Sequence, residues 1–333
     1  MLLAITLFLL SAAAIYVASE YFVNGIEWLG RRLNLGATAV GSVLAAFGTA
    51  LPESAVTFIA VVFGDTPAQK NVGVGAAMGG PLVLSTLAYA VVGLALVLDH
   101  GYLRRQTFGL QADCQRLSRD QAAFLGIFVF KVGLGLVAFA LKPWLGVLFL
   151  LAYAVYVFVE IRDAHTATEE EALKPLKIRP RSPAPSLFWA ALQSVAAMLV
   201  VAYASHVFVG QLEVIGEALD WSPQLVALIL SPVATELPEI MNAVIWVRQG
   251  KERLALANIS GSMMIQATIP SALGIFFTTW LFDPALILSG AVTMLAIVYV
   301  WGLFRRGAVN AHPLIAASGF YGVFALGVAL WFT

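Results

Sequence analysis

A single cysteine among 333 residues excludes any intramolecular disulfide, and Cys114, set in a polar stretch, reads as a free thiol facing a reducing compartment. Four histidines and that one thiol form no cluster with metal-ligand spacing, which removes zinc and copper sites of the usual kind. Charge is equally scarce, at 11% against about a quarter in a soluble domain. The formal net charge is zero, so no nucleic-acid partner is expected and the distribution of charge matters more than its sum. What remains is 60% hydrophobic, the composition of an integral membrane protein whose principal partner is the lipid bilayer.

Apolar segments long enough to cross a bilayer fall at 2–29, 36–63, 71–97, 122–141, 143–162, 187–216, 223–247, 252–280, 283–303 and 312–332. Lipid offers no partner to a bare backbone amide, so the expectation is an all-α polytopic protein of ten transmembrane helices. Residues 1–14 lack the basic leader of a signal peptide and run into an internal repeat, so the first span is read as retained. Sixteen Lys and Arg residues sit in alternate loops, the opposite loops hold only Lys70 and Lys142, and Lys131 alone lies within a span. That asymmetry places the basic loops in the cytoplasm and both termini outside, in a multi-pass protein of the cell (inner) membrane.

The segment 163–186 carries Glu169, Glu170 and Glu171, then Lys174, Lys177, Arg179 and Arg181 among four prolines. It reads as a solvated cytoplasmic linker between a first half, 1–162, and a second half, 187–333. Each half holds five spans, and because five is odd the second crosses the membrane in the opposite sense to the first. Residues 18–53 and 204–239 align without a gap at an offset of 186, with identities that include Ala18, Ser19, Phe22, Glu27, Gly30, Thr49, Leu51, Pro52 and Glu53. A second pair, 73–80 against 255–262, follows at an offset of 182. Inverted repeats with broken helices at the midplane are the mark of a secondary transporter whose site lies between the repeats.

The chemistry concentrates in Gly48-Thr49-Ala50-Leu51-Pro52-Glu53 and Ala234-Thr235-Glu236-Leu237-Pro238-Glu239. A carboxylate at membrane depth costs a few kcal/mol or more, so its recurrence in two matched contexts points to a cation site. Pro52 and Pro238 each remove a backbone donor and free carbonyls one turn back. With the Thr49 and Thr235 hydroxyls, these oxygens surround Glu53 and Glu239. Hard ligands in that number suit Ca²⁺ or Na⁺. Gly79, Gly80, Gly261 and Ser262 also admit the plainer role of close helix packing.

These motifs, the segment Asn258-Ile259-Ser260-Gly261-Ser262 and the inverted halves resemble the sodium/calcium exchanger family of the cation/calcium antiporter superfamily. The resemblance covers about 18–95 and 204–280. It implies Glu53 and Glu239 as principal ligands, Thr49, Thr235, Ser262 and Gln266 around them, and the carbonyls of Ala46 and Pro232 as further ligands. It also implies a non-enzymatic antiporter without cofactors, exchanging Ca²⁺ for Na⁺ by alternating access. Ala50, Ala76, Gly80, Pro81 and Leu84 stand where the family places polar side chains, whereas Glu236 adds a third carboxylate. The alternatives are a proton-coupled exchanger of Ca²⁺ or another divalent ion, a non-transporting relative, and an intramembrane enzyme using the paired acids. Lys131 is expected to balance Glu236, leaving a charge of minus two for Ca²⁺ to neutralise. Glu20 and His206, at matched repeat positions, form either a proton route or a helix-packing pair.

Overall fold

The computed structural model describes residues 1–32, 50–99, 108–164, 174–182, 184–307 and 309–331. Its helices are α1 (Leu2–Arg32), α2 (Leu51–Phe63), α3 (Pro67–Val83), α4 (Tyr89–Asp99), α5 (Cys114–Gly135), α6 (Gly146–Ala164), α7 (Leu187–Leu219), α8 (Pro223–Thr235), α9 (Leu237–Arg248), α10 (Glu252–Phe277), α11 (Pro284–Arg305), α12 (Ala311–Ala316) and α13 (Ser318–Trp331). A π-helical turn, Leu84–Ala88, joins α3 to α4. Among the described residues seven helical stretches are long and apolar enough to span a membrane, and Leu51–Phe63 and Pro223–Pro232 are shorter apolar helices. The chain is a multi-pass membrane protein.

Local chemistry sets the boundaries. The Thr66, Ser222 and Asp283 side chains accept the backbone N–H of Gln69, Leu225 and Leu286, each before a proline in the first turn. Asp113 does the same for Arg116, so α5 opens at Cys114, eight residues before the expected span, and Cys114 lies in a helix rather than a loop. The polar run Cys114-Gln115-Arg116-Leu117-Ser118-Arg119 hides that start from any count of apolar residues. The expected single spans 223–247 and 312–332 are each interrupted, at Glu236 and at Ala317. One further departure from an all-α chain is a two-residue ladder, in which β1 (Gly109–Leu110) pairs antiparallel with β2 (Val309–Asn310).

In lipid, close packing rather than water exclusion holds helices together, and small residues permit the closest approach. Gly75 and Gly79 of α3 lie against Gln224, Leu228 and Pro232 of α8, where any Cβ would strike backbone carbonyls or the proline ring. The helices α1 and α7 run antiparallel, with Phe8 stacked on Phe208 at 4.8 Å and Gly25 against Ser194 and Ala190. Helix α10 is the most enclosed, 83% buried over its most apolar window, and touches α2, α3, α5, α6 and α9. The linker stretch 174–182 is mostly exposed but anchored on the helices at its centre. Leu176 is fully buried, Asn24 and Gln193 receive the Lys177 and Ile178 amides, and the Trp28 indole donates to the Lys174 carbonyl at 2.9 Å.

Candidate functional site

Two helix starts build the site. Ala50 precedes α2 with φ −83° and ψ 1°, and Glu236 precedes α9 with φ −97° and ψ −12°. Each is followed by Leu-Pro-Glu, so a proline occupies the first turn, where no intrahelical donor is needed. The amide missing from that proline cannot continue the preceding turn, and α8 ends at Thr235 where α9 begins two residues later. Glu53 and Glu239 thereby fall in the first turns of their helices, where unpaired N–H groups and the dipole favour negative charge.

Glu53, Glu236 and Glu239 are all buried, at 1%, 0% and 0% exposure. Thr235 Oγ1 lies 2.9 Å from Glu53 Oε2, 3.0 Å from Glu236 Oε1 and 3.2 Å from the Ser231 carbonyl. A hydroxyl has one proton to donate, so it satisfies one of these three acceptors. Gln266 Nε2 donates to Glu236 Oε2 at 2.8 Å. Glu239 interacts electrostatically with both Glu236 and Glu53, which joins the three acids into one cluster. Among the described residues Glu53 Oε1, both Glu239 carboxylate oxygens and Gln266 Oε1 are buried without a hydrogen-bond partner. Ser54, Thr57 and Ser231, within one helical turn of Glu53 or Thr235, bury unpartnered hydroxyls as well. Each orphaned polar group costs about 1–3 kcal/mol, and the bare carboxylate oxygens are acceptors that an added positive charge would satisfy. In the structure Glu53 and Glu236 are engaged with Thr235, and Glu236 also with Gln266, and no three His, Cys, Asp or Glu side chains among the described residues are disposed around one point as metal ligands.

Ser262 is buried on α10, one turn before Gln266. The Pro232 carbonyl accepts the Glu236 amide at 2.9 Å and its ring rests against Gly79. Thr49 and Ala46 lie outside the described residues. Among the described residues Lys131 makes no ion pair with a carboxylate; its ammonium donates to the Ala77 carbonyl of α3 at 2.7 Å and lies 3.5 Å from the Gln266 carbonyl of α10. Glu20 bonds Lys177, and His206 is exposed on α7. Because α1 and α7 are antiparallel, residues aligned by the repeat are displaced along the pair, here by about ten residues or roughly 15 Å. No hydrogen bond joins Glu20 to His206 among the described residues, and the two side chains are not side by side.

Gly80 is the residue whose role sequence reasoning missed. A Cβ there would lie 2.5 Å from Gln266 Oε1 and 3.0 Å from Glu236 Oε1. Its bare backbone leaves the space these two side chains fill. The signal was the coincidence of a lost side chain in one half with a gained carboxylate in the other.

A family model described as sodium/calcium exchanger protein matches residues 3–162 and 189–330. An uncharacterised membrane protein, MJ0091, of Methanocaldococcus jannaschii is 22% identical over 278 residues, covering 83% of each chain. Among solved structures, the H⁺/Ca²⁺ exchanger CAX superposes with a TM-score of 0.74 at 17% identity, covering 98% of this chain and 82% of that one. The sodium-calcium exchanger NCX_Mj superposes with a TM-score of 0.60 at 19% identity, covering 100% and 99%. These likenesses establish the fold.

Proposed function

The chain belongs to the sodium/calcium exchanger protein family, and from that premise we propose that it is a secondary active antiporter that moves Ca²⁺ against Na⁺ by alternating access. The observation that carries the reading is the full burial of Glu53, Glu236 and Glu239, with three carboxylate oxygens that meet no donor among the described residues. Competition supplies the coupling. The same oxygens serve either one divalent ion or monovalent ions, and the low dielectric forbids leaving the acids bare.

Two inverted five-helix halves, 1–162 and 187–333 joined by 163–186, account for the repeat. In support, the family match divides into the same two parts, α1 pairs with α7 and α5 with α11, and the backbone at Ala50 matches that at Glu236. The ligand set is Glu53, Glu239, Thr235, Glu236, Ser262 and Gln266, completed by Thr49 and the Ala46 and Pro232 carbonyls. A cell-membrane location with both termini outside follows from the basic loops.

A second reading exchanges Ca²⁺ for H⁺. One hydroxyl, Thr235, sits between two carboxyls of opposite halves, and a shared proton would complete that chain. Reconstituted vesicles separate the readings. Uptake of ⁴⁵Ca²⁺ driven by an outward Na⁺ gradient supports the first, uptake driven only by an outward H⁺ gradient supports the second, and uptake with neither sinks both.

A further inference from the structure

Two lysines are buried in the described structure, and they are solvated differently. Lys142, 3% exposed, donates to the carbonyls of Val137, Thr279 and Trp280 at 2.7, 2.9 and 2.8 Å, which uses all three of its protons. That is a structural role, and it holds the Trp280 backbone at φ 48°. Lys131, with no exposure at all, has one short carbonyl contact, to Ala77, and one long one, to Gln266. Its remaining surroundings are the faces of Phe128 at 5.3 Å and Trp280 at 5.9 Å. The Trp280 indole in turn donates to the Lys131 carbonyl at 3.2 Å, which fixes the stem.

Carbonyl oxygens and ring faces are partners that an ammonium can use. The two carbonyls belong to the helices that form the site. Ala77 lies one turn before Gly80 on α3, and Gln266 is the residue whose amide holds Glu236. Lys131 also lies within electrostatic reach of Glu53. With no carboxylate in ion-pair contact, Lys131 acts on the cluster as a whole rather than neutralising one acid.

We propose that Lys131 is a tethered cation filling one monovalent position of the exchanging cluster, so that two monovalent ions, not three, replace each divalent ion. The inference rests on the exchanger reading above. Three carboxylates and one fixed ammonium leave minus two, which either one divalent ion or two monovalent ions neutralise. The exchange is then electroneutral, whether the monovalent ion is Na⁺ or H⁺.

The test uses the intact protein in proteoliposomes, with membrane potential clamped by K⁺ and valinomycin and the equilibrium Ca²⁺ gradient measured against an imposed monovalent gradient. For the native chain a tenfold monovalent gradient should sustain a Ca²⁺ gradient of about a hundredfold, unchanged when the potential is stepped by roughly 100 mV. Lys131→Met, of similar length without charge, should admit a third monovalent ion and make the gradient depend on voltage; Lys131→Arg should keep the native ratio. A native ratio of three to one, a voltage-dependent native exchange, or a Lys131→Met protein that keeps two to one would each overturn the tethered cation. Should Lys131→Met fail to fold, the native voltage measurement decides by itself. Absence of exchange under both gradients would overturn the exchanger reading instead, a distinct outcome from exchange at the wrong ratio.

Discussion

The two Leu-Pro-Glu breaks share a backbone and differ in what surrounds it. In the first half Ala50 stands at the break and Gly80 on the helix that passes it, so that half contributes Glu53 and empty volume. In the second half Glu236 stands at the break and Gln266 on α10, and both side chains reach into the volume that Gly80 leaves. The polar side chains at this crossing come from the second half and the space for them from Gly80 in the first. Two matched backbone segments need not carry matched side chains provided that the volume between them is shared.

The most severe way to break this comparison removes the acids that both halves share. Glu53→Gln and Glu239→Gln should each lower ⁴⁵Ca²⁺ exchange by about a hundredfold or more, because a buried divalent ion loses a charged ligand worth several kcal/mol. Equal losses from the two would show that the halves contribute alike, despite their different neighbours. Next in size is Gly80→Ala. The new Cβ meets two polar side chains at 2.5 and 3.0 Å, and the displacement should weaken divalent binding by about tenfold in an equilibrium ⁴⁵Ca²⁺ titration. Adding Glu236→Ser should restore part of that loss, since the smaller side chain returns the space; additive losses would contradict the exchange of volume between halves.

Smaller again is Gly75→Ala at the crossing of α3 and α8, where a Cβ strikes the Gln224 carbonyl, a backbone atom that cannot rotate away. Here the expected change is about 1–3 kcal/mol of stability, read as a lower melting temperature in detergent. Least affected should be the matched pair outside the site. Glu20→Ala and His206→Ala should leave exchange within about twofold, since one loses only a half-exposed ion pair with Lys177 and the other an exposed imidazole. A large effect from either would revive a proton route along α1 and α7.

Much of this was legible from the chain. Lipid leaves helices as the main solution for long apolar runs, so the elements followed from hydropathy. The proline break at Glu236 was legible because proline acts through its own backbone, and Pro52 likewise falls in the first turn of a helix that starts at Leu51. What escaped was decided between elements. The repeat offset pairs residue 20 with 206 in sequence, but antiparallel packing separates them along the helices. The direct partners of Lys131, backbone carbonyls of α3 and α10, are set by how α5 packs and carry no mark in the sequence. Gly80 read as a loss because the side chains that need its space lie about 150 residues or more away in sequence and meet it only in the fold.

The central claim is that Glu53 and Glu239, delivered by two oppositely directed breaks, hold one divalent ion between them. Anomalous diffraction from crystals soaked in Sr²⁺, a scatterer that stands in for Ca²⁺, tests it directly. The account predicts one buried peak with carboxylate oxygens of both residues at about 2.3–2.7 Å, absent from Glu53→Gln. A peak bound by only one of the two acids, or a peak that survives the substitution unchanged, would contradict it.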